Sequence, residues 1–224
     1  MDNTLEKPNN RSADMFTRYI GETVLAVGAH PDDLELGVGG VLARLARQGT
    51  KVVMLVVCVP HHLKERVAQA QEAAKILGAE IRFLYTEKEM RVEDIKTYEL
   101  VEHVDQLVRK LDPAAVFSHS MTNFHKDHIL VHNACLAAQR LHFFDFYCYY
   151  PTSCHPVTVP FRPQAYVDVT STMDLKMDAI NRHTTQFACK GLTTDHYRDV
   201  AREYGRLAGV EYAEGLEVVR LRLA

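Results

Sequence analysis

The chain has 224 residues, 47% of them hydrophobic and 25% charged, with a formal net charge of -3. That size accommodates one large α/β domain, and so mild an acidic balance excludes the basic character expected of a nucleic-acid binder. The most apolar run, residues 52–59, is too short to span a bilayer.

Residues 1–21 read as a flexible N-terminal arm. Pro8, Asn9 and Asn10 oppose early helix, and no apolar core marks this stretch as an export signal. Thr23–Gly28 reads as a buried strand, a short apolar run ending at glycine. A helix is expected from Gly37 to Gln48, stopped by Gly49. Lys51–Val59 is a second strand, Glu65–Leu77 a helix ended by Gly78, and Glu80–Leu84 a third strand. Thr97–Leu111 carries Leu100, Val104, Leu107, Val108 and Leu111 at helical core spacing. Ala114–Ser118 is a fourth strand, with a helix starting near His128. Residues 142–170 are expected to add an irregular or antiparallel edge. Thr172–Thr185 and Asp195–Leu207 read as helices and Glu217–Leu223 as a last strand. Alternating strands and helices imply a single α/β domain over residues 22–224, with a mostly parallel sheet flanked by helices. Five scattered cysteines without a CxxC pair read as reduced thiols in a cytoplasmic protein.

Two segments carry chemistry. The first is Ala29-His30-Pro31-Asp32-Asp33-Leu34-Glu35, where strand one meets helix one. Ligands bind at such strand ends in an open α/β sheet. Histidine and carboxylate are both zinc ligands, and two adjacent aspartates point different ways, so one can bind metal while the other faces a reacting water. The competing reading is a plain helix cap. The second segment is His125-Lys126-Asp127-His128, after strand four, where the carboxylate can orient a neighbouring histidine. His128 and His132 have the i, i+4 spacing of a zinc helix, but position 129 is Ile where a protease glutamate would stand, so one ligand is expected here and His132 is read as packing.

At these residues the sequence resembles the PIG-L/LmbE-like family of zinc-dependent N-deacetylases, whose signatures are a His-Pro-Asp-Asp block after the first strand and a later His-x-Asp-His block. Weaker matches are Arg66 with Ala73-Ala74 and Leu77-Gly78, then Tyr166 to Thr170, Lys176, His183, Gln186 and Tyr212-Ala213-Glu214. The resemblance implies a Rossmann-like fold with no dinucleotide site, in agreement with the absence of G-x-G-x-x-G after strand one; Gly37, Gly39 and Gly40 are read as packing glycines. It implies Zn2+, or Fe2+ at the same site, held by His30, Asp33 and His128. Asp32 would be the general base, and His125, held by Asp127, an electrostatic partner or general acid. Arg66 would contact substrate, the alternative being a solvated helix face. The implied reaction is removal of an N-acetyl group from a small-molecule amino sugar of N-acetylglucosamine type, releasing acetate, in a chain that could form trimers or hexamers. A zinc amidase for a larger acyl or thiol conjugate, and a silent sugar- or metal-binding module, are the alternatives. Cys58 to His62, Gln69 and Glu87 depart from the family pattern and are expected on the substrate side.

Overall fold

A computed structural model describes residues 14–151, 160–187 and 193–222. Its centre is a seven-stranded sheet in the order β3-β2-β1-β4-β5-β7-β6, formed by β1 (Thr23–Gly28), β2 (Lys51–Val56), β3 (Glu80–Phe83), β4 (Ala115–His119), β5 (Asp145–Tyr149), β6 (Ala165–Asp168) and β7 (Ala213–Arg220). The first five strands are mutually parallel, and β7 runs antiparallel between β5 and β6. The helices are α1 (Asp33–Arg47), α2 (Leu63–Leu77), α3 (Thr97–Leu111), α4 (Lys126–Ala138), α5 (Met173–Ile180), the single turn α6 (Thr184–Phe187) and α7 (Asp195–Ala208).

The strand alternation splits one sheet between two cores. Val24, Ala26, Val52, Met54, Phe117, Tyr147 and Tyr149 join the cluster under α1, α2 and α5. Leu25, Val27, Val53, Leu55, Val116, Phe146 and Cys148 join the cluster under α3 and α4. Burial on both faces explains why these strands read as continuous apolar runs. No helix among the described residues is long and apolar enough to cross a membrane.

The structure differs from the sequence reading in several places. Helix α1 begins at Asp33, not Gly37, because its glycines are interior and serve close packing: a Cβ on Gly37 would strike the Tyr149 ring, and one on Gly40 would come within 2.9 Å of Val169. A fifth parallel strand lies inside the aromatic-rich stretch 142–170, where only an irregular edge was expected. The helix expected over Thr172–Thr185 is two pieces, α5 and α6, broken at Asn181–His183. The last strand starts at Ala213 rather than Glu217. Within the arm, Met15–Tyr19 forms a 3₁₀ turn that buries Phe16 and Tyr19, and the Tyr19 hydroxyl donates to Asp145 at 2.7 Å. Two aromatics in a polar segment are enough to seat it on the core. The remainder of the arm, with Pro8, Asn9 and Asn10, lies outside the described residues, as do Cys154 and Cys189. Cys58, Cys135 and Cys148 are buried and free.

Helix α1 is gripped from the far side of the chain. Glu214 on β7 accepts from the amides of Gly40 (3.0 Å) and Val41 (2.7 Å), and Lys176 on α5 donates to the Leu36 carbonyl (2.9 Å) while pairing with Glu214 at 2.5 Å. Both side chains are buried.

Candidate active site

The chain leaves β1 towards β2 but returns to β4 on the opposite side of β1, so the loops after β1 and β4 part at the carboxyl end of the sheet. Such a switch point is a crevice by construction. The segment His30–Asp33 lines one wall and Asn123–His128 the other, in a cleft of about 870 Å³.

His30, Asp33 and His128 each offer one ligand atom here, all within 4.8 Å of one another, and all three residues are buried. Asp33 is the pivot. Its Oδ2 accepts from the His30 backbone amide at 2.7 Å, and its Oδ1 lies 3.3 Å from His128 Nε2. Burial alone would raise its pKa, but the imidazole of His128 beside it holds it well below the usual carboxylate range. His30 places Nε2 2.8 Å from Asp127 Oδ2, which leaves Nδ1 for a metal. A carboxylate behind a ligating histidine is the common way of fixing its ring and tautomer. Two imidazoles and one carboxylate, closed by that orienting bond, fit Zn2+ or Fe2+.

Asp127 therefore does not hold His125, as the sequence suggested. Its carboxylate accepts from His30 and from the amides of Val92 (3.1 Å) and Glu93 (3.0 Å). His125 instead caps α4: its Nδ1 accepts from the Asp127 backbone amide at 3.2 Å, which puts its ring proton on Nε2. Burial, with His128 and His30 nearby, lowers its pKa and favours the neutral ring.

Asp32 is set apart from its neighbour by the backbone. It flanks α1 with φ of 100°, a region that L residues rarely occupy, and makes no capping bond, so the plain-cap reading fails. Its Oδ1 lies 3.3 Å from Arg66 Nη2, and its Oδ2 accepts from Gln186 Nε2 at 3.1 Å. Burial and the adjacent Asp33 carboxylate raise its pKa, with Arg66 pulling against them. Arg66 is no solvated-face residue: it is 1% exposed, borders the cleft, donates to the Pro31 carbonyl at 2.7 Å, and buries Nε and Nη1 without partners.

Sequence reasoning missed His119 and left Gln186 without a role. His119 ends β4, accepts from the Ala29 amide at 3.0 Å, stands 3.3 Å from Asp33 and stacks on His128 with ring centroids 3.9 Å apart. Burial and His128 push its pKa down to about 3, so it is neutral. A histidine closing a buried strand beside the first motif was the available signal. His132 turns away and bonds the His119 carbonyl at 2.8 Å.

Of the departures expected on the substrate side, only Pro60 and His61 line the cleft. Cys58 is core. Gln69 ties α2 to α6 through Thr184 and Thr185. Glu87 is exposed and accepts from the Thr86 amide.

The sequence profile of PIG-L, GlcNAc-PI de-N-acetylase, matches residues 25–139. The chain is 28% identical over 130 residues to the uncharacterized deacetylase YaiS of Escherichia coli, spanning 52% of this chain and 68% of YaiS. It is 25% identical over 224 residues to diacetylchitobiose deacetylase of Thermococcus kodakarensis, spanning 88% and 82% of the two. Among solved structures, the conserved protein TT1542 of Thermus thermophilus superposes with a TM-score of 0.76 at 25% identity, over 91% of this chain and 97% of that one.

Proposed function

This chain belongs to the PIG-L family, and from that premise we propose that it is a metal-dependent hydrolase that removes an N-acetyl group from an amino sugar, an N-acetylglucosamine-type glycoside or conjugate, releasing acetate. The observation that carries the reading is Asp32: a buried carboxylate beside a three-donor metal set, turned away from it by a left-handed backbone and held by Arg66 and Gln186.

His30, Asp33 and His128 would hold the ion, Zn2+ or Fe2+. When bound, it supplies Lewis-acid polarisation of the amide carbonyl and acidifies water. Asp32 takes the proton from the attacking water. Its raised pKa suits it to hold that proton and deliver it to the amine as the carbon–nitrogen bond breaks. His125, neutral with hydrogen on Nε2, donates to the oxygen on which negative charge develops. Arg66 acts on Asp32, its Nη2 lying 3.3 Å from Asp32 Oδ1, while its Nε and Nη1 are buried without partners. Phe124, Pro60 and Phe187 give the cleft an apolar side suited to the face of a sugar or its aglycone.

The test is acetate release from N-acetylated amino sugars and their glycosides by protein loaded with Zn2+ or Fe2+, beside N-acyl substrates with longer chains. Release of acetate from the sugars, abolished in Asp32→Asn, is the expected result. Cleavage only of longer acyl or thiol conjugates would move the chain to the amidase reading. Tight sugar binding without turnover would make it a silent module.

A further inference from the structure

The base is fixed in part from outside the profile-matched region. Asp32 occupies a backbone conformation with little local support: φ is 100° and no capping bond compensates. Its carboxylate is instead spanned by Arg66 from α2 and Gln186 from α6.

Helix α6 is a single turn, too short to hold its own position. Other contacts set it. His183, fully buried, puts Nε2 3.2 Å from Oε1 of Glu35 in the first turn of α1. The Gln186 backbone amide donates to the His183 carbonyl at 3.0 Å and closes the turn. From α2, Gln69 Nε2 donates to Thr184 Oγ1 at 3.0 Å and Gln69 Oε1 accepts from Thr185 Oγ1 at 2.8 Å. The turn is thus tied both to α1, which Asp32 precedes, and to α2, which carries Arg66. A side-chain amide offers both a donor and an acceptor. Gln186 spends its donor end on Asp32.

We propose that Gln186 is a positioning residue for the reaction: mounted by the His183–Glu35 pair and by Gln69, its amide holds the Asp32 carboxylate against Arg66, directed at water and away from the metal donors. This rests on the reading of Asp32 as general base. Loss of the amide frees the carboxylate to rotate and deprives a buried anion of a donor. Misplacement of a catalytic group on this scale costs roughly 10–100-fold in rate.

Gln186→Met keeps the length of the side chain and removes the amide. It should lower kcat roughly 10–100-fold while KM and metal content stay at wild-type values. In an Asp32→Ala background the same substitution should cost nothing further, because the group it positions is gone. A second cycle of the same variants, unfolded in urea without substrate, should show the two side chains coupled. A raised KM at unchanged kcat would make Gln186 a substrate contact and overturn the proposal. So would kinetic losses that multiply in the double variant, or additive effects in urea. If the wild type releases no acetate from any amino sugar, the functional reading fails, and the urea cycle alone still decides whether Gln186 holds Asp32.

Discussion

The proposed metal donors come from one part of the chain, whereas the residues that steady the proposed base come in part, beside Arg66, from another. His30, Asp33, Asp127, His128 and the stacked His119 all fall within the matched residues 25–139, around the ends of β1 and β4 at one switch point. Gln186, His183, Lys176 and Glu214 come from beyond it, and each reaches back to α1 or to the turn that precedes it. A metal set can be assembled from two adjacent strand ends, since each needs only to present a ring or a carboxylate. A strained carboxylate needs support from several directions, here from α2 within the matched region and α6 beyond it.

The sharpest way to break this division is to remove a donor. Asp33→Ala should abolish metal retention and activity together, because Asp33 meets both partner histidines and the His30 amide. Elemental analysis of protein purified without chelator checks it. Retained metal in Asp33→Ala would show that the donors lie elsewhere. Asp32→Asn, one residue away, should keep the metal and lose ~10²–10⁴-fold in kcat/KM. Should it empty the site, the two aspartates exchange roles.

Much of this was legible from residue types. The His30–Asp33 block and the His125–His128 block stand at the ends of runs apolar enough to be read as buried strands, so their meeting followed from the parallel topology. The partner of Asp127 was not legible. Nearness in sequence favoured His125, whereas the carboxylate crosses the crevice to His30, 97 residues away. Arg66 reads from sequence as a substrate contact, or else as a helical surface arginine, because spacing cannot show that a guanidinium will be drawn in by Asp32 and the Pro31 carbonyl. β5 escaped because its aromatic residues, Phe146, Tyr147 and Tyr149, serve two opposite cores and so show no one-sided pattern.

Asp127 offers a finer cut. Asp127→Ala should weaken metal affinity about 10–100-fold, measured by chelator competition, since the His30 ring loses its orienting carboxylate. His125→Ala should leave that affinity unchanged and act on kcat. Equal losses of affinity in both would restore the pairing expected from sequence.

The smaller effects are on stability, and they probe the supporting half. Glu214→Ala removes the partner of buried Lys176 and the acceptor of two α1 amides, and should cost ~3–5 kcal/mol in urea unfolding. Its metal affinity should follow the wild type once folded; a parallel loss would merge the two regions. Last, Asp32→Gly should be more stable than Asp32→Ala by ~1–2 kcal/mol, because only glycine occupies φ of 100° without strain. Equal stabilities would mean that the turn relaxes when the carboxylate is removed.

The antiparallel insertion of β7 between β5 and β6 has a consequence for biosynthesis. Among the described residues β6 pairs only with β7, and the outer edge of β5 is also covered by it. During translation the ribosome therefore extrudes every proposed metal donor, and every other described strand of the sheet, before either edge finds its neighbour. Until residues 213–220 emerge, the nascent chain displays an open hydrogen-bonding edge at β5, the kind of surface that recruits a second unfinished chain or a chaperone. The same strand delivers Glu214 to α1, so closure of the sheet and fixing of the helix that follows the metal loop occur in one late step.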